Sequence, residues 1–154
     1  MSTTTTAVRI EPAPPVVHTA AMLWLSAVAF GAFEAVLVIG KLLYEGTPVL
    51  DVLPQGGFRL AVFAGAVFLA LKLKGGANWA RWTLAGTLGV FGTLSLVKEP
   101  IEWLLAGGSI AEAMTGADAM AWVFAASRVL HVLAVLGALV LMFQPRAGAY
   151  FRSA

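Results

Sequence analysis

The stretch AMAWVFAASRVLHVLAVLGALVLMF, residues 119–143, is a long apolar run that contains two ionisable side chains, Arg128 and His131. A helix that crosses a lipid bilayer needs about 20 consecutive, mostly apolar residues, and this run is longer than that. Asp118 stands where a helix N-cap is expected, and Gln144 and Pro145 follow the run as a stop signal. The stretch therefore predicts a transmembrane helix that carries two ionisable groups within the membrane.

The composition of the whole chain agrees with a membrane protein. Hydrophobic residues make up 60% of the 154 residues and charged residues 12%, whereas a soluble domain is about half apolar and about a quarter charged. The mean hydropathy is +0.87. A net charge of +2 without a basic run argues against nucleic-acid binding, and the absence of cysteine excludes disulfides and thiolate metal sites.

Three further apolar runs precede residues 119–143 in the chain, at residues 18–44, 58–73 and 79–97. The second is short, with a 12-residue centre from Leu60 to Leu71, and such a run is either re-entrant or spanning. Arg59, Lys72 and Lys74 can lengthen it by extending to the two interfaces, and we favour a span because the distribution of charge supports one. The sequence thus predicts an all-α integral membrane four-helix bundle over residues 18–144. A disordered tail, 1–17, precedes it and a C-terminal tail, 145–154, follows it.

The segment between the third and fourth runs, 98–117, is predicted to be an outer loop with short interfacial helices. PIEWLL has one apolar and one acidic face, and SIAEAMTG places Ser109 three residues before Glu112, which is the spacing of a capping box. An ordered loop without a function of its own is the alternative.

The distribution of charge predicts the orientation in the membrane. With four spans, one side of the membrane receives six basic residues and one acidic residue: Arg9, Lys72, Lys74, Arg81, Arg146, Arg152 and Glu11. The other side receives three basic and six acidic residues: Lys41, Arg59, Lys98, Glu45, Asp51, Glu99, Glu102, Glu112 and Asp118. Because basic residues concentrate on the cytoplasmic side, both termini are expected to be cytoplasmic.

Three ionisable residues are predicted to lie at similar depths in the bilayer. Glu34, Arg128 and His131 lie about 15, 14 and 18 Å along their helices from the outer ends, at about 1.5 Å per residue. An unpaired charge there costs at least about 2.5 kcal/mol, so we predict an ion pair between Glu34 and Arg128, with His131 hydrogen-bonded beside it.

This cluster has two interpretations. In the first, the pair only fixes the first helix against the fourth. In the second, it lines a water-accessible cavity that holds a ligand headgroup, an anion or protons, and Lys41 and Arg59 extend a polar track from it to the outer surface. Ionisable residues within the membrane are functional candidates, and histidine changes charge in the physiological pH range.

Small residues form a stripe on the third segment. Gly86, Gly89 and Thr93 recur at spacings that allow two helices to approach closely. We expect this helix-packing seam to lie within the bundle; a seam between subunits of an oligomer is the alternative.

The turn before the third segment carries a resemblance. The motif Gly76-Ala77-Asn78-Trp79-Ala80-Arg81, with Asn78 as the expected N-cap, resembles the turn in small four-helix integral membrane proteins of high-GC, actinobacterial-type bacteria. The resemblance implies a multi-pass protein of the bacterial inner (plasma) membrane. Those proteins are mostly of unknown function, so no residue role follows from it.

No motif for catalysis accompanies this layout: the chain has no G-x-S-x-G, H-E-x-x-H or Walker A sequence. We expect neither an enzyme nor a cofactor or metal. The favoured hypothesis is an accessory or interaction subunit, or a binder of a lipid-like ligand, with the bilayer and a membrane protein or a second copy as partners. The alternative is a small oligomeric transporter or channel for protons, an anion or a small solute.

Overall fold

A computed structural model describes residues 13–153, and within that range the chain forms helices and no strand. The helices are α1 (Pro15–Tyr44), α2 (Val49–Lys74), α3 (Asn78–Leu84), a π-helical segment (Ala85–Gly92), α4 (Thr93–Leu105), α5 (Ile110–Gly116), α6 (Ala119–Met142) and α7 (Pro145–Ser153). Most of the tail predicted at 1–17 lies outside the described residues, although α1 already begins at Pro15.

Three helices in the described part of the chain, α1, α2 and α6, are long and apolar enough to cross a membrane. Helix α1 lies between the other two and is antiparallel to both. Gly31 of α1 lies against both His131 of α6 and Phe63 of α2, and Gly137 of α6 lies against Leu23 of α1. This arrangement brings the middle of α1 opposite the ionisable residues of α6.

Helix α2 begins at Val49 rather than at residue 58, the predicted start. Pro54, Gly56 and Gly57 suggested a turn, but the helix runs through them. Glycine and proline are tolerated within membrane helices because neighbouring groups or local adjustments satisfy the freed backbone. With 26 residues, α2 is an unbroken helix that is long and apolar enough to cross a membrane.

The third apolar run is helical over a longer range than the predicted 79–97. Helix α3, the π-helical segment and α4 follow one another with helical dihedral angles at each junction. Helix α4 passes through Pro100 and ends at Leu105, so PIEWLL is helical, as predicted, but it continues α4 instead of forming a separate short helix after residue 98. The predicted cap of the next helix is confirmed: Ser109 Oγ accepts a bond from the Glu112 N–H of α5.

The turn between α2 and α3 owes its shape to Gly76. This residue has a φ of +84°, and around it the Ala77 N–H donates to Lys72 O and the Gly76 N–H to Leu73 O. These two bonds form a Schellman motif, which needs the left-handed conformation that glycine adopts most readily. Ala77, and not Asn78 as expected, is the N-cap of α3.

The C-terminal segment predicted as a tail forms helix α7. Ala147 and Phe151, four residues apart, lie on its buried face, and the Tyr150 hydroxyl donates to Lys74 O at 3.2 Å. The sequence gives a weak helix signal here, because the segment is short and contains Gly148. The helix is stabilised by packing against the rest of the protein.

The buried core is concentrated at one end of the molecule. We call this the closed end: it is where α1 begins, where α2 meets α3 and where α6 meets α7. Its largest fully buried side chains include Trp24, Leu73, Leu84 and Met142. At the opposite end, α4 and α5 contain no buried residue.

Candidate functional site: a charge cluster between helices beside a cavity

The predicted contact between Glu34 and Arg128 is confirmed. Glu34 lies on the face of α1 that packs against α6, and its side chain is 5% exposed. Its Oε2 is 3.4 Å from Arg128 Nη2, which is within ion-pair distance. The pairing neutralises a carboxylate that would otherwise be buried with an uncompensated charge.

Arg128 makes a second contact that the sequence analysis did not predict. Its Nη1 donates to the backbone oxygen of Leu96 at 3.2 Å. Leu96 is four residues before Pro100, and proline has no N–H to bond the carbonyl group four residues earlier in a helix. The Arg128 guanidinium therefore binds a carbonyl oxygen that Pro100 leaves without its usual helical partner.

Arg128 thus connects three helices. It pairs with Glu34 of α1, bonds Leu96 of α4 and lies with its Cζ 4.9 Å from the ring centre of Phe124 on α6 itself. A planar guanidinium with several fixed donors is suited to such a role. The position of Arg128 is therefore fixed by contacts on several sides.

His131 lies beside the pair, with Nδ1 3.7 Å from Glu34 Oε1. The predicted hydrogen bond is not formed at this distance, and His131 Nδ1 is a buried atom without a hydrogen-bond partner. The same carboxylate oxygen accepts a long bond, 3.4 Å, from the Ser127 hydroxyl. Glu34 thus faces three polar side chains of α6, at positions 127, 128 and 131, and Arg128 is its closest charged partner.

A cavity of about 160 Å³ adjoins His131. Its lining comes from α1, α2, the π-helical segment, α4 and α6: Trp24, Ala27, Val28, Val62, Phe63, Ala66, Leu88, Gly92, Ser95, Leu96, His131 and Val135. The wall is mainly apolar. Trp24 Nε1 is buried in this region without a hydrogen-bond partner. His131 therefore has the Glu34–Arg128 pair on one side and an apolar cavity on the other.

No match places this chain in a family. Comparisons with protein-family models, with curated proteins and with solved structures find nothing significantly similar.

The structure does not join Lys41 and Arg59 to this cluster. Lys41 Nζ is 3.8 Å from Glu45 Oε1, and both side chains are exposed. Arg59 is half-buried on α2 and has no ion pair within residues 13–153. Of the five residues predicted to form a polar cluster, the structure brings together Glu34, Arg128 and His131.

The small-residue seam falls on the π-helical segment and the start of α4. Gly89 is buried, and a Cβ there would lie 2.9 Å from Leu139 Cδ2 of α6, whereas a Cβ at Gly86 would meet no atom within 4 Å. Thr93 Oγ1 is a buried atom without a partner. Gly89 therefore serves packing inside the chain, as expected, and Gly86 does not. π-Helical turns often occur at functional sites, and this one borders the cavity through Leu88 and Gly92.

Two members of the site were missed from the sequence although signals for them existed. Pro100 lies just after the predicted span 79–97, where a proline is typical of a helix end, but a proline within a helix also leaves the carbonyl group of Leu96 free. Ser127 stands four residues before His131 and so shares the helix face that meets Glu34. The cavity itself had no signal in the sequence, because it depends on how the helices diverge.

Proposed function

We propose that this chain is a four-span, multi-pass protein of a bacterial plasma membrane that binds a lipid-like ligand without catalysing a reaction. The observation that carries the proposal is the cavity beside His131, which has an apolar wall and a polar group at one side. Ligand sites are typically of this kind, mainly apolar with a few placed polar groups.

The continuous helical course from residue 78 to residue 105 supports a fourth span. Helix α3 alone has 7 residues and α4 has 13, so neither piece reaches the length of a span. Joined through the π-helical segment, they exceed the 20 residues that a span needs. This joined helix, residues 78–105, also contributes Leu88, Gly92 and Leu96 to the cavity wall.

The size of the cavity limits the ligand. A volume of about 160 Å³ is close to that of an apolar cavity that holds one benzene ring, about 150 Å³. It therefore suits a ring or the end of an acyl chain rather than a whole lipid. The remainder of such a ligand would lie between the helices, with a hydroxyl or carbonyl group facing His131 or Trp24 Nε1.

A matched pair of variants on α2 tests this proposal. Ala66 is buried in the cavity wall, and Ala64, two residues earlier, is exposed. We expect that extraction and mass spectrometry of the purified wild type find a retained hydrophobic compound, that Ala66→Phe loses it and that Ala64→Phe keeps it. Equal retention by both variants, or no retained compound in the wild type, would contradict the proposal.

A transporter or channel is the second candidate. It is favoured by the side-by-side position of Glu34, Arg128 and His131 in the middle of the predicted spans, where the Arg128 side chain is still 27% exposed. The separation of Lys41 from the cluster weighs against it. Proton and anion flux into proteoliposomes distinguishes the two: a ligand binder gives no more flux than empty liposomes. Flux that Arg128→Ala or His131→Ala abolishes would instead establish transport.

A further inference from the structure

Arg81, at the closed end, is surrounded by aromatic rings. Its Cζ lies 4.3 Å from the ring centre of Phe143, 5.3 Å from that of Phe151 and 5.7 Å from that of Trp82. Its Nε is buried without a hydrogen-bond partner. The rings attract the cation through their faces, but they do not occupy the in-plane N–H donors of the guanidinium.

A second arginine acts on Arg81. Arg152 follows Phe151 directly in α7, and Phe151 is one of the rings that surround Arg81, so the two positive charges lie near each other. Neither arginine forms an ion pair within residues 13–153. Two like charges in one place, without a carboxylate between them, are stabilised when an anion binds to both.

The surroundings reinforce this charge imbalance. The closed end also carries Lys72, Lys74 and Arg146, and within residues 13–153 every Asp and Glu lies elsewhere, at Glu34 or beyond it towards the opposite end. Trp82 and Phe143 are 61% and 39% exposed. Exposed aromatic rings beside basic groups are typical of the membrane interface, where lipid headgroups lie.

We propose that Arg81 and Arg152 form a binding site for the phosphodiester group of an anionic phospholipid at the closed end. The fixed donors of a guanidinium match the oxygens of a phosphate group. The aromatic rings hold the Arg81 side chain in place, and the bond from Tyr150 to Lys74 O joins α7, which carries Arg152, to the end of α2. This site is independent of the ligand proposed for the cavity.

Lipid binding to the purified full chain tests the proposal. The affinity for phosphatidylglycerol and for phosphatidylcholine is measured by native mass spectrometry for the wild type and for the double variant Arg81→Gln/Arg152→Gln. The control is Arg146→Gln/Lys74→Gln, which removes the same net charge from the same end. We expect a preference for phosphatidylglycerol that falls about tenfold or more in the first variant and less than about threefold in the control.

Additional measurements keep the result interpretable. Arg152→Gln alone changes an exposed side chain, so it is expected to fold normally and still to lower the affinity for phosphatidylglycerol. Competition by millimolar inorganic phosphate would assign the same chemistry to a free phosphate rather than to a lipid. Equal binding of the two lipids without an effect of phosphate, or an equal loss in the control variant, would overturn the proposal.

Discussion

At the scale of single residues, Arg128 is the side chain that connects three helices, α1, α4 and α6. It pairs with Glu34 at 3.4 Å and bonds Leu96 O at 3.2 Å, so its charge and two of its donors have partners in a region that is mostly apolar. His131 has no such set of contacts. This difference indicates that Arg128 has mainly an architectural role, whereas His131, which lines the cavity, is the member of the cluster that a ligand there can contact.

A double-mutant cycle on Glu34 and Arg128 tests the architectural role. Glu34→Gln or Arg128→Gln alone leaves one buried charge unpaired, and each is expected to lower the free energy of unfolding by about 3 kcal/mol. The double variant is expected to lose less than the sum of the two, with a coupling of about 1–3 kcal/mol. Thermal or denaturant unfolding in detergent micelles measures these changes.

The exposed pair Lys98–Glu102, 3.8 Å apart on α4, provides the control cycle. Because solvent or headgroups screen such a pair, its coupling is expected to stay below about 1 kcal/mol. A coupling at Glu34 and Arg128 that is no larger than this would show that the buried pair does not hold the helices together.

At the scale of elements, the two prolines within helices have different consequences. Pro54 of α2 and Pro100 of α4 both deprive a carbonyl group of its helical hydrogen bond. At Pro100 the freed carbonyl group of Leu96 binds Arg128. The hydrogen bond that α4 lacks at Leu96 is thus replaced by a hydrogen bond from Arg128 of α6.

Replacing each proline by alanine tests this difference. Pro54→Ala restores a helical hydrogen bond and is expected to raise the unfolding temperature. At Pro100 the restored N–H competes with Arg128 for Leu96 O, so Pro100→Ala is expected to give a smaller gain or a loss. Thermal unfolding of the two variants compares them directly; equal gains would mean that the Arg128–Leu96 bond contributes little.

The two glycines of the third segment also allow a matched comparison. Gly89→Leu places a side chain against Leu139 of α6, whereas Gly86→Leu enters open space. We expect Gly89→Leu to lower stability by about 1–3 kcal/mol and Gly86→Leu to leave it nearly unchanged. Sedimentation of both variants in detergent checks the oligomeric state. A change of that state in Gly86→Leu would place Gly86 at a contact between copies.

At the scale of the whole molecule, hydropathy and matched depth predicted part of the arrangement. The helical fold, the positions of the apolar runs and the Glu34–Arg128 contact follow from run length and matched depth. The start of α2, the end of α4 and the existence of α7 did not. These three features depend on tertiary packing. Packing allows proline inside α2 and α4 and glycine inside α2, and it buries Phe151 of α7 in the core. The cavity depends on the same packing.

Labelling of single cysteines tests the four-span topology. The natural chain has no cysteine, so each introduced thiol reports on one position. With a membrane-impermeant maleimide, Thr47→Cys and Ala106→Cys are expected to react in intact cells, and Gly75→Cys and Ser153→Cys only in inverted vesicles. Labelling of positions 75 and 106 from the same side would mean that residues 78–105 do not cross the membrane.

The central claim, that the cavity beside His131 holds an apolar ligand, is tested most directly by photolabelling. A diazirine-bearing long-chain fatty acid is bound to the purified protein, irradiated and mapped by mass spectrometry. The account predicts adducts concentrated at residues 24–28 of α1 and 62–66 of α2, and their loss in Ala66→Phe but not in Ala64→Phe. Adducts spread over the exposed faces of the helices, and unchanged by Ala66→Phe, would contradict it.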